Sequence, residues 1–561
     1  MQMSYLILLV SRTVKEMTLW ALLTLCAHLA LSGCAVGPDF QSPSPPETTR
    51  FTAERLTRAG QDKATDIGFA VEKEVPQRWW EAFQNKKLNR LIEAAIEHNP
   101  SLQSAEAAIK IAYYNAESQK GAFLPTLLAG ANESLNLTSN DRSLGTINQT
   151  IYNQLFPTPA NILLDAPSFN TQNPPTWVYS LFLKQLTVSY TPDIWGQNRR
   201  AVESLEAQTD LQRYQLEAAY LALTSNVAVA AIREASLRGQ LAAVERVVKI
   251  ARELLDIIRK QKGAGGASEA DVLTQDAAVG QAQQLIPPLK KQIALQRDLI
   301  TALVGRYSSD EIIETFDLSE LKLPRSVPLS LPSRFVRQRP DIRAAEAKLH
   351  SASANVGVTM AARLPNITLS ANAGFSAFKL AELFAPGTQF FTLAANAAQP
   401  LFTGFSLLNQ QKAAHAALEQ AQAQYRQTVI SAFQNVADAL KAIKADAEAV
   451  NVAAHVVKVS GSNLEIVRGQ MNIGSVGVLT VLNAQQTYLL AMVNRAQAEG
   501  NLLADVAGLF MALGGGWQDQ ALKNLPPSVP GESPSREQIE AIKAPVNPSL
   551  LPDILSDLTM R

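Results

Sequence analysis

The chain has only two cysteines, no surplus of either charge, and an N-terminal apolar run, Leu19 to Leu31, too short to cross a bilayer. Each shortage excludes something. Lys plus Arg and Asp plus Glu both number 50, so no basic surface speaks for nucleic acid. His98, His350, His415 and His455 show no metal-ligand spacing, and the sequence holds no Gly-rich phosphate loop and no nucleophile motif. Arg339-Pro340-Asp341 has the residue types of a reactive site, but Pro and Asp in the first turn of a helix explain it better. Trp79, Trp80 and Trp517 read as packing anchors. Neither an enzyme, a metal centre nor a cofactor site emerges.

What is present begins at the N-terminus. Arg12 and Lys15 precede the short apolar run, which ends in Leu31-Ser32-Gly33-Cys34, and that layout fits a signal peptide. Leu31, Ser32, Gly33 and Cys34 resemble a bacterial lipobox, which implies cleavage before Cys34 and acylation of it. Several acyl chains at about 0.8 kcal/mol per buried methylene make a firm anchor. Cys26 would leave with the signal, so the mature chain would have one cysteine and no internal disulfide. It would carry 48 basic and 49 acidic residues. Ala35, not Asp, follows the cysteine, which in the usual bacterial sorting pattern favours the outer membrane.

The stretch that organises the rest runs from Phe390 to Gly469. An alternating segment ending Gln399-Pro400-Leu401-Phe402 passes through Gly404 into a helical pattern of roughly 65 residues. Val429, Phe433, Val436, Leu440, Ile443, Ala447, Val450, Ala454 and Val457 recur at steps of four and three, a heptad seam that calls for coiled-coil packing. A similar helix follows Thr191-Pro192-Asp193-Ile194-Trp195-Gly196. It turns at Gly263, Gly265 and Gly266, and the pattern is helical again from Asp271 to about Val304.

The two halves match. Asn99-Pro100-Ser101-Leu102 pairs with Arg339-Pro340-Asp341-Ile342, Leu124-Pro125 with Leu364-Pro365, Pro192 to Gly196 with Pro400 to Gly404, and Val272-Leu273 with Val478-Leu479. A unit of helix, strand, strand, long helix, turn and helix therefore occurs twice. The chain divides into a signal at 1–33, a lipid-anchored and weakly helical tether at 34–78, repeats at 79–306 and 333–517, a connector at 307–332 and a Pro-rich tail at 518–561.

The strands have one apolar and one polar face. Leu127, Ala129, Ala131, Leu135 and Leu137 alternate with Gly130, Asn132, Ser134 and Asn136, with Glu133 as an exception. Leu186, Val188 and Tyr190 alternate with Gln185, Thr187 and Ser189; the second copy does the same from Asn366 to Phe375 and from Phe391 to Ala398. Lipid outside and water inside a transmembrane barrel require this pattern. Four strands cannot close such a barrel, and open edges are not tolerated in lipid. The barrel must be shared: three copies would give about twelve strands, continued by long periplasmic helices.

Residues 34–517 carry in order Cys34 with Val36-Gly37-Pro38-Asp39-Phe40, Trp79-Trp80 with Phe83, Phe123-Leu124-Pro125, Asp193-Ile194-Trp195-Gly196, Arg339-Pro340-Asp341-Ile342, Pro400-Leu401-Phe402-Thr403-Gly404 and Leu513-Gly514-Gly515-Gly516-Trp517. This ordered set resembles the TolC-like outer-membrane efflux proteins, in particular their lipoprotein branch, called NodT-type or OprM-like. The resemblance implies a mainly α fold with membrane β: a homotrimer with a 12-stranded β-barrel and an α-helical periplasmic tunnel. It also implies a passive exit duct for small molecules, joined by a periplasmic adaptor to an inner-membrane pump of the RND type. Two other readings share parts of the pattern, a type I secretion duct and a nonconducting structural lipoprotein.

By the same resemblance, the helix-turn-helix tips Lys262 to Asp271 and Gln470 to Asn483 form the gate. Gly265, Gly266, Gly474 and Leu479 would receive the adaptor, while Met471, Val476, Thr480 and Asn483 would form the periplasmic gate. The family commonly has acidic residues at its constriction, but Thr480 and Asn483 stand at the matching positions. The expectation is a gate less sensitive to cations, unless another carboxylate such as Glu465 substitutes.

Overall fold

A computed structural model describes residues 35–515, apart from 49, 55–57, 60–64, 72, 74, 140–175 and 330–331. The expected signal, Cys34 with the rest of the lipobox, the polar stretch 140–175 and the tail lie outside the described residues. Among the described residues the strands are β1 (Arg58–Ala59), β2 (Ile67–Val71), β3 (Thr126–Ser139), β4 (Thr176–Tyr190), β5 (Ser326–Leu329), β6 (Asn366–Ala377) and β7 (Gln389–Ala398). The α-helices are α1 (Lys86–His98), α2 (Pro100–Lys120), α3 (Gln197–Gly263), α4 (Glu269–Gln284), α5 (Ile286–Leu303), α6 (Pro332–Gln338), α7 (Pro340–Ala361), α8 (Ser406–Asn472) and α9 (Val478–Ala512). The order helix, two strands, long helix, turn and return helix occurs twice, as the internal matches predict. Contacts divide the chain into two compact units.

The first unit contains a four-stranded antiparallel sheet in the order β3-β4-β6-β7. Leu127 is paired with Val188, Val188 with Ala371, and Ala371 with Leu393; the next apolar row is Ala129, Leu186, Ala373 and Phe391. Between them lies a row of Leu128, Thr187, Asn372 and Thr392, in which the Thr187 hydroxyl donates to Asn372 Oδ1 at 2.8 Å. Because the side-chain period of a strand is two, this register gathers the apolar residues on one face and most of the polar ones on the other.

The second unit holds the helical core. Trp79, Trp80, Phe83, Phe316, Phe335 and Phe510 are fully buried within it. On α8, Val429, Val436, Leu440, Ile443, Ala447 and Val450 are buried, Phe433 packs against them, and the seam weakens at Ala454 and Val457, which are half-buried. The long helix α3 is apolar enough over one window to cross a membrane, but its Val227, Ala228, Ala231 and Ile232 belong to this core.

Two expectations need correction. The region between the N-terminal segment and Trp79 is not weakly helical: Ile67 and Phe69 alternate inward on β2, which pairs antiparallel with β1 and parallel with β5. Tether and connector thus meet in a three-stranded sheet. The return helix of the first repeat is also not continuous. Leu285 separates α4 from α5, because Pro287 and Pro288 follow at once and cannot supply the backbone N–H groups that a helix interior needs.

Candidate functional site

The apolar face of the four-stranded sheet has no cover. Leu127 is 66% exposed, Phe391 79% and Leu393 76%. A soluble sheet would bury such a face; one in lipid leaves it open. Lys184 interrupts it, placed between Ala131 and Phe375, and its ammonium lies 5.3 Å from the centre of the Phe384 ring. That cation–π contact at the β6–β7 turn shields one of the two charges on this face, the other being Glu133.

The two helix tips are built alike. In the first, Gly265 has φ +79°, its N–H donates to Lys262 O at 3.0 Å, and Gly266 N donates to Gln261 O at 2.8 Å. In the second, Gly474 has φ +74°, its N–H donates to Met471 O at 3.0 Å, and Ser475 N donates to Gln470 O at 2.8 Å. Each turn needs a left-handed residue to end one helix, and glycine adopts it without cost. The N-caps that follow are Ser268 and Gly477. They place Val272-Leu273 opposite Val481-Leu482, one helical turn from the expected partner Val478-Leu479. A shift of about one turn keeps the helix face, so the sequence match looked consistent.

The expected gate set separates. Met471 is buried among Leu464, Val467, Val478 and Val481, and Val476 packs against the same cluster. Thr480 and Asn483 are exposed, as are Gly265, Gly266, Gly474 and Leu479. Glu465 is also exposed and lies 3.8 Å from Arg468, which is 3.7 Å from Glu253. Below the tips, Gln275 and Gln485 are buried. The Gln275 amide donates to Ala251 O at 3.0 Å and to Gln485 Oε1 at 3.4 Å, while Gln485 Nε2 has no partner. Gln485 lines a cavity of about 130 Å³ that Leu285, at the helix break, also lines. This loose, partly unsatisfied spot is absent from the sequence reading; Pro287-Pro288 was the signal available for it.

The motifs converge at a separate junction in the second unit. Arg339, 8% exposed, is held by both oxygens of Asp341, at 2.8 and 2.6 Å, and donates to Ala512 O at 2.6 Å. Gly514, with φ +91°, lies so close that a Cβ would sit 3.0 Å from Arg339 Cγ. Trp79 stacks on Phe510 with ring centres 5.3 Å apart. The Arg-Pro-Asp motif is therefore more than a helix start. It binds the end of α9.

The family model of the outer membrane efflux proteins matches residues 91–306 and 331–515. The chain belongs to this family. The pyoverdine export outer membrane protein OpmQ of Pseudomonas putida is 28% identical over 442 residues, 79% of this chain and 88% of its own. The toluene efflux pump outer membrane protein TtgC of the same species is 26% identical over 494 residues, 87% of this chain and 94% of its own. The outer-membrane channel OprN has a TM-score of 0.73 at 22% identity, covering 86% of this chain and 100% of its own. The MtrE outer membrane channel of Neisseria gonorrhoeae gives 0.69 at 24%, covering 86% and 98%. These structural likenesses show the fold. The outer membrane efflux protein described here is accordingly an exit duct of an efflux system, located in the outer membrane. The uncovered apolar face of its sheet is the surface that such a location requires.

Proposed function

We propose that this efflux protein works as a homotrimer, taking small molecules passively from a periplasmic adaptor and an inner-membrane pump of the RND type. The observation that carries this reading is the sheet itself. Strands β3 and β7 are its two edges, and an open edge in lipid leaves backbone groups unpaired at several kcal/mol each. Edge pairing between copies removes that cost, and about twelve strands satisfy the barrel minimum. Acylation at Cys34 would supply the anchor. The exposed tips, with Gly265, Gly266, Gly474 and Leu479, are accessible to an adaptor, and Thr480 and Asn483 would face the narrow end of the pore, with Met471 and Val476 packed behind them.

The test is single-channel conductance and subunit mass of the purified protein in lipid bilayers, with Asn483→Asp beside the wild type. We expect a trimeric pore, weakly blocked by multivalent cations, in which the added carboxylates strengthen block. A nonconducting monomer would overturn the duct and the shared barrel together. Strong block of the wild-type pore would instead overturn only the uncharged gate.

A further inference from the structure

The first residues of the described chain are not loosely held. Val36 N donates to Trp195 O at 3.0 Å. Arg200, whose side chain is 6% exposed, donates from Nε to Val36 O at 3.3 Å, and from Nη2 to Gly37 O at 3.4 Å and to Asp39 Oδ1 at 2.5 Å. Its Nη1 donates to Glu203 Oε2 at 2.7 Å. One guanidinium thus binds two consecutive carbonyls and a carboxylate of the same short peptide, a use of its fixed fork that lysine could not reproduce.

Glycines line the contact on both sides. Gly37 has φ +108°, and a Cβ there would overlap the Gly357 backbone; a Cβ on Gly357 would lie 2.7 Å from Val36 O and 2.8 Å from Arg200 Cγ. Gly196, at φ +76°, leaves the space that Ala35 occupies, since its Cβ would come within 2.7 Å of the Ala35 Cα. Three segments far apart in sequence therefore meet backbone to backbone, all within the first unit. Trp195 adds a bond from Nε1 to Pro365 O at 2.7 Å, next to the start of β6. Strands β4 and β6 pair with each other and come from different repeats.

We propose that residues 35–39 are a latch seated in a receptor formed by Gly196, Arg200 and Gly357, which fixes the lipid-bearing Cys34 beside the joint between the two repeats. The proposal rests on the reading of Cys34 as the acylated residue. Consecutive Cα atoms are about 3.8 Å apart, so acyl chains on Cys34 must leave the protein within one residue of Ala35 and its contact with Gly196. The anchor then enters the membrane at a set place on the sheet wall, and the same peptide bridges the turn after β4 to the helix before β6. An unattached tether would need neither a buried arginine nor three facing glycines.

The test uses the full-length protein in vesicles of phosphatidylethanolamine and phosphatidylglycerol. The exposed Pro38 is changed to cysteine and spin-labelled, Cys34 being blocked by its lipid. We expect an immobilised nitroxide at interfacial depth, and loss of the immobilised component in both Gly37→Val and Arg200→Ala. Gly37→Val alters only the latch, so it should keep pore conductance even where Arg200→Ala folds poorly. A freely moving label in the parent protein, or one that stays immobilised in both variants, overturns the latch. Mass analysis of the N-terminal peptide keeps the two readings apart: where Cys34 is unacylated and would itself take label, Cys34→Ser is added to Pro38→Cys, and an immobilised label then leaves the seat standing and overturns its role in placing the lipid.

Discussion

The two repeats solve the same joint with different chemistry. In the first, Asn99 precedes Pro100, and its side-chain amide donates to Leu303 O at the end of α5 at 2.8 Å. In the second, Arg339 precedes Pro340 and donates to Ala512 O at the end of α9 at 2.6 Å. A left-handed glycine follows each return helix, Gly305 at φ +84° and Gly514 at φ +91°. The last carbonyls of a helix have no partner within it, so both repeats bring a side chain from the start of another helix to satisfy one. The difference is charge. Asn99 is neutral, whereas Arg339 brings a buried cation that needs Asp341 to hold it.

Truncating each clamp sharpens that comparison and gives the largest effect. Arg339→Ala leaves Asp341 without its cation and the Ala512 carbonyl without a donor, and we expect a loss of about 3 kcal/mol, reduced from the fully buried case because Asp341 is partly exposed. Asn99→Ala removes two neutral bonds, the one to Leu303 O and the cap accepted from Ser101 N, and should cost about 2 kcal/mol. Denaturant midpoints of the detergent-solubilised protein check both. Equal losses would mean that the second joint gains nothing from its ion pair.

The repeats differ again higher on the return helices. Gln296, on α5, donates to Ala230 O at 3.1 Å. The corresponding residue of α9 is Asp505, whose pKa is raised to about 6 by burial and by the neighbouring Asp446 carboxylate. Its folded state therefore holds a proton that the unfolded chain releases near pH 4. Stability should rise as the pH falls from about 7 towards 4, and the penalty should be complete above 6. Asp505→Asn imitates the first repeat. We expect it to stabilise the protein at pH 7.5 by about 1 kcal/mol, discounted for solvent screening, and to flatten the profile between pH 4 and 7. A variant with an unchanged pH profile would show that the carboxylate pair does not titrate in that window.

Where one face or one period dictated the outcome, the sequence was legible. The strand alternation, the α8 seam and the glycines of both tips all follow from local geometry, and the structure places them as the pattern required. The double occurrence of one element order was equally plain. Features that depend on what lies opposite were not. Nothing near Arg339 in the chain announces Ala512, and nothing near Gly37 announces Gly357. The short strands β1 and β2 escaped because their segment reads as weakly helical, and β5 because Pro324, Pro328 and Pro332 make its segment read as a connector. The break at Leu285 escaped because the helical pattern continues on both sides of it, although Pro287 and Pro288 mark the first turn of a new helix. Around the tips, the glycine turns were legible in the sequence, while the buried Gln275–Gln485 pair was not.

The smallest expected effect concerns the tips, whose caps differ between the repeats. Ser268 closes a capping box with Asp271: its hydroxyl accepts from Asp271 N at 3.1 Å, and Asp271 Oδ2 accepts from Ser268 N at 2.9 Å and from the Ser268 hydroxyl at 2.7 Å. These bonds hold the Asp271 carboxyl below its ordinary pKa. The second tip has Gly477 in that place, with no side-chain cap. Ser268→Ala should speed amide exchange over residues 269–272 roughly fivefold and leave 478–481 unchanged. Because a lowered carboxylate pKa stabilises the folded form only while the group is ionised, the protection at the first tip should also fade as the pH drops below about 4, with no matching change at the second. If both tips lose protection together in acid, the cause lies in the shared packing beneath them, and the capping box contributes nothing that distinguishes the two repeats.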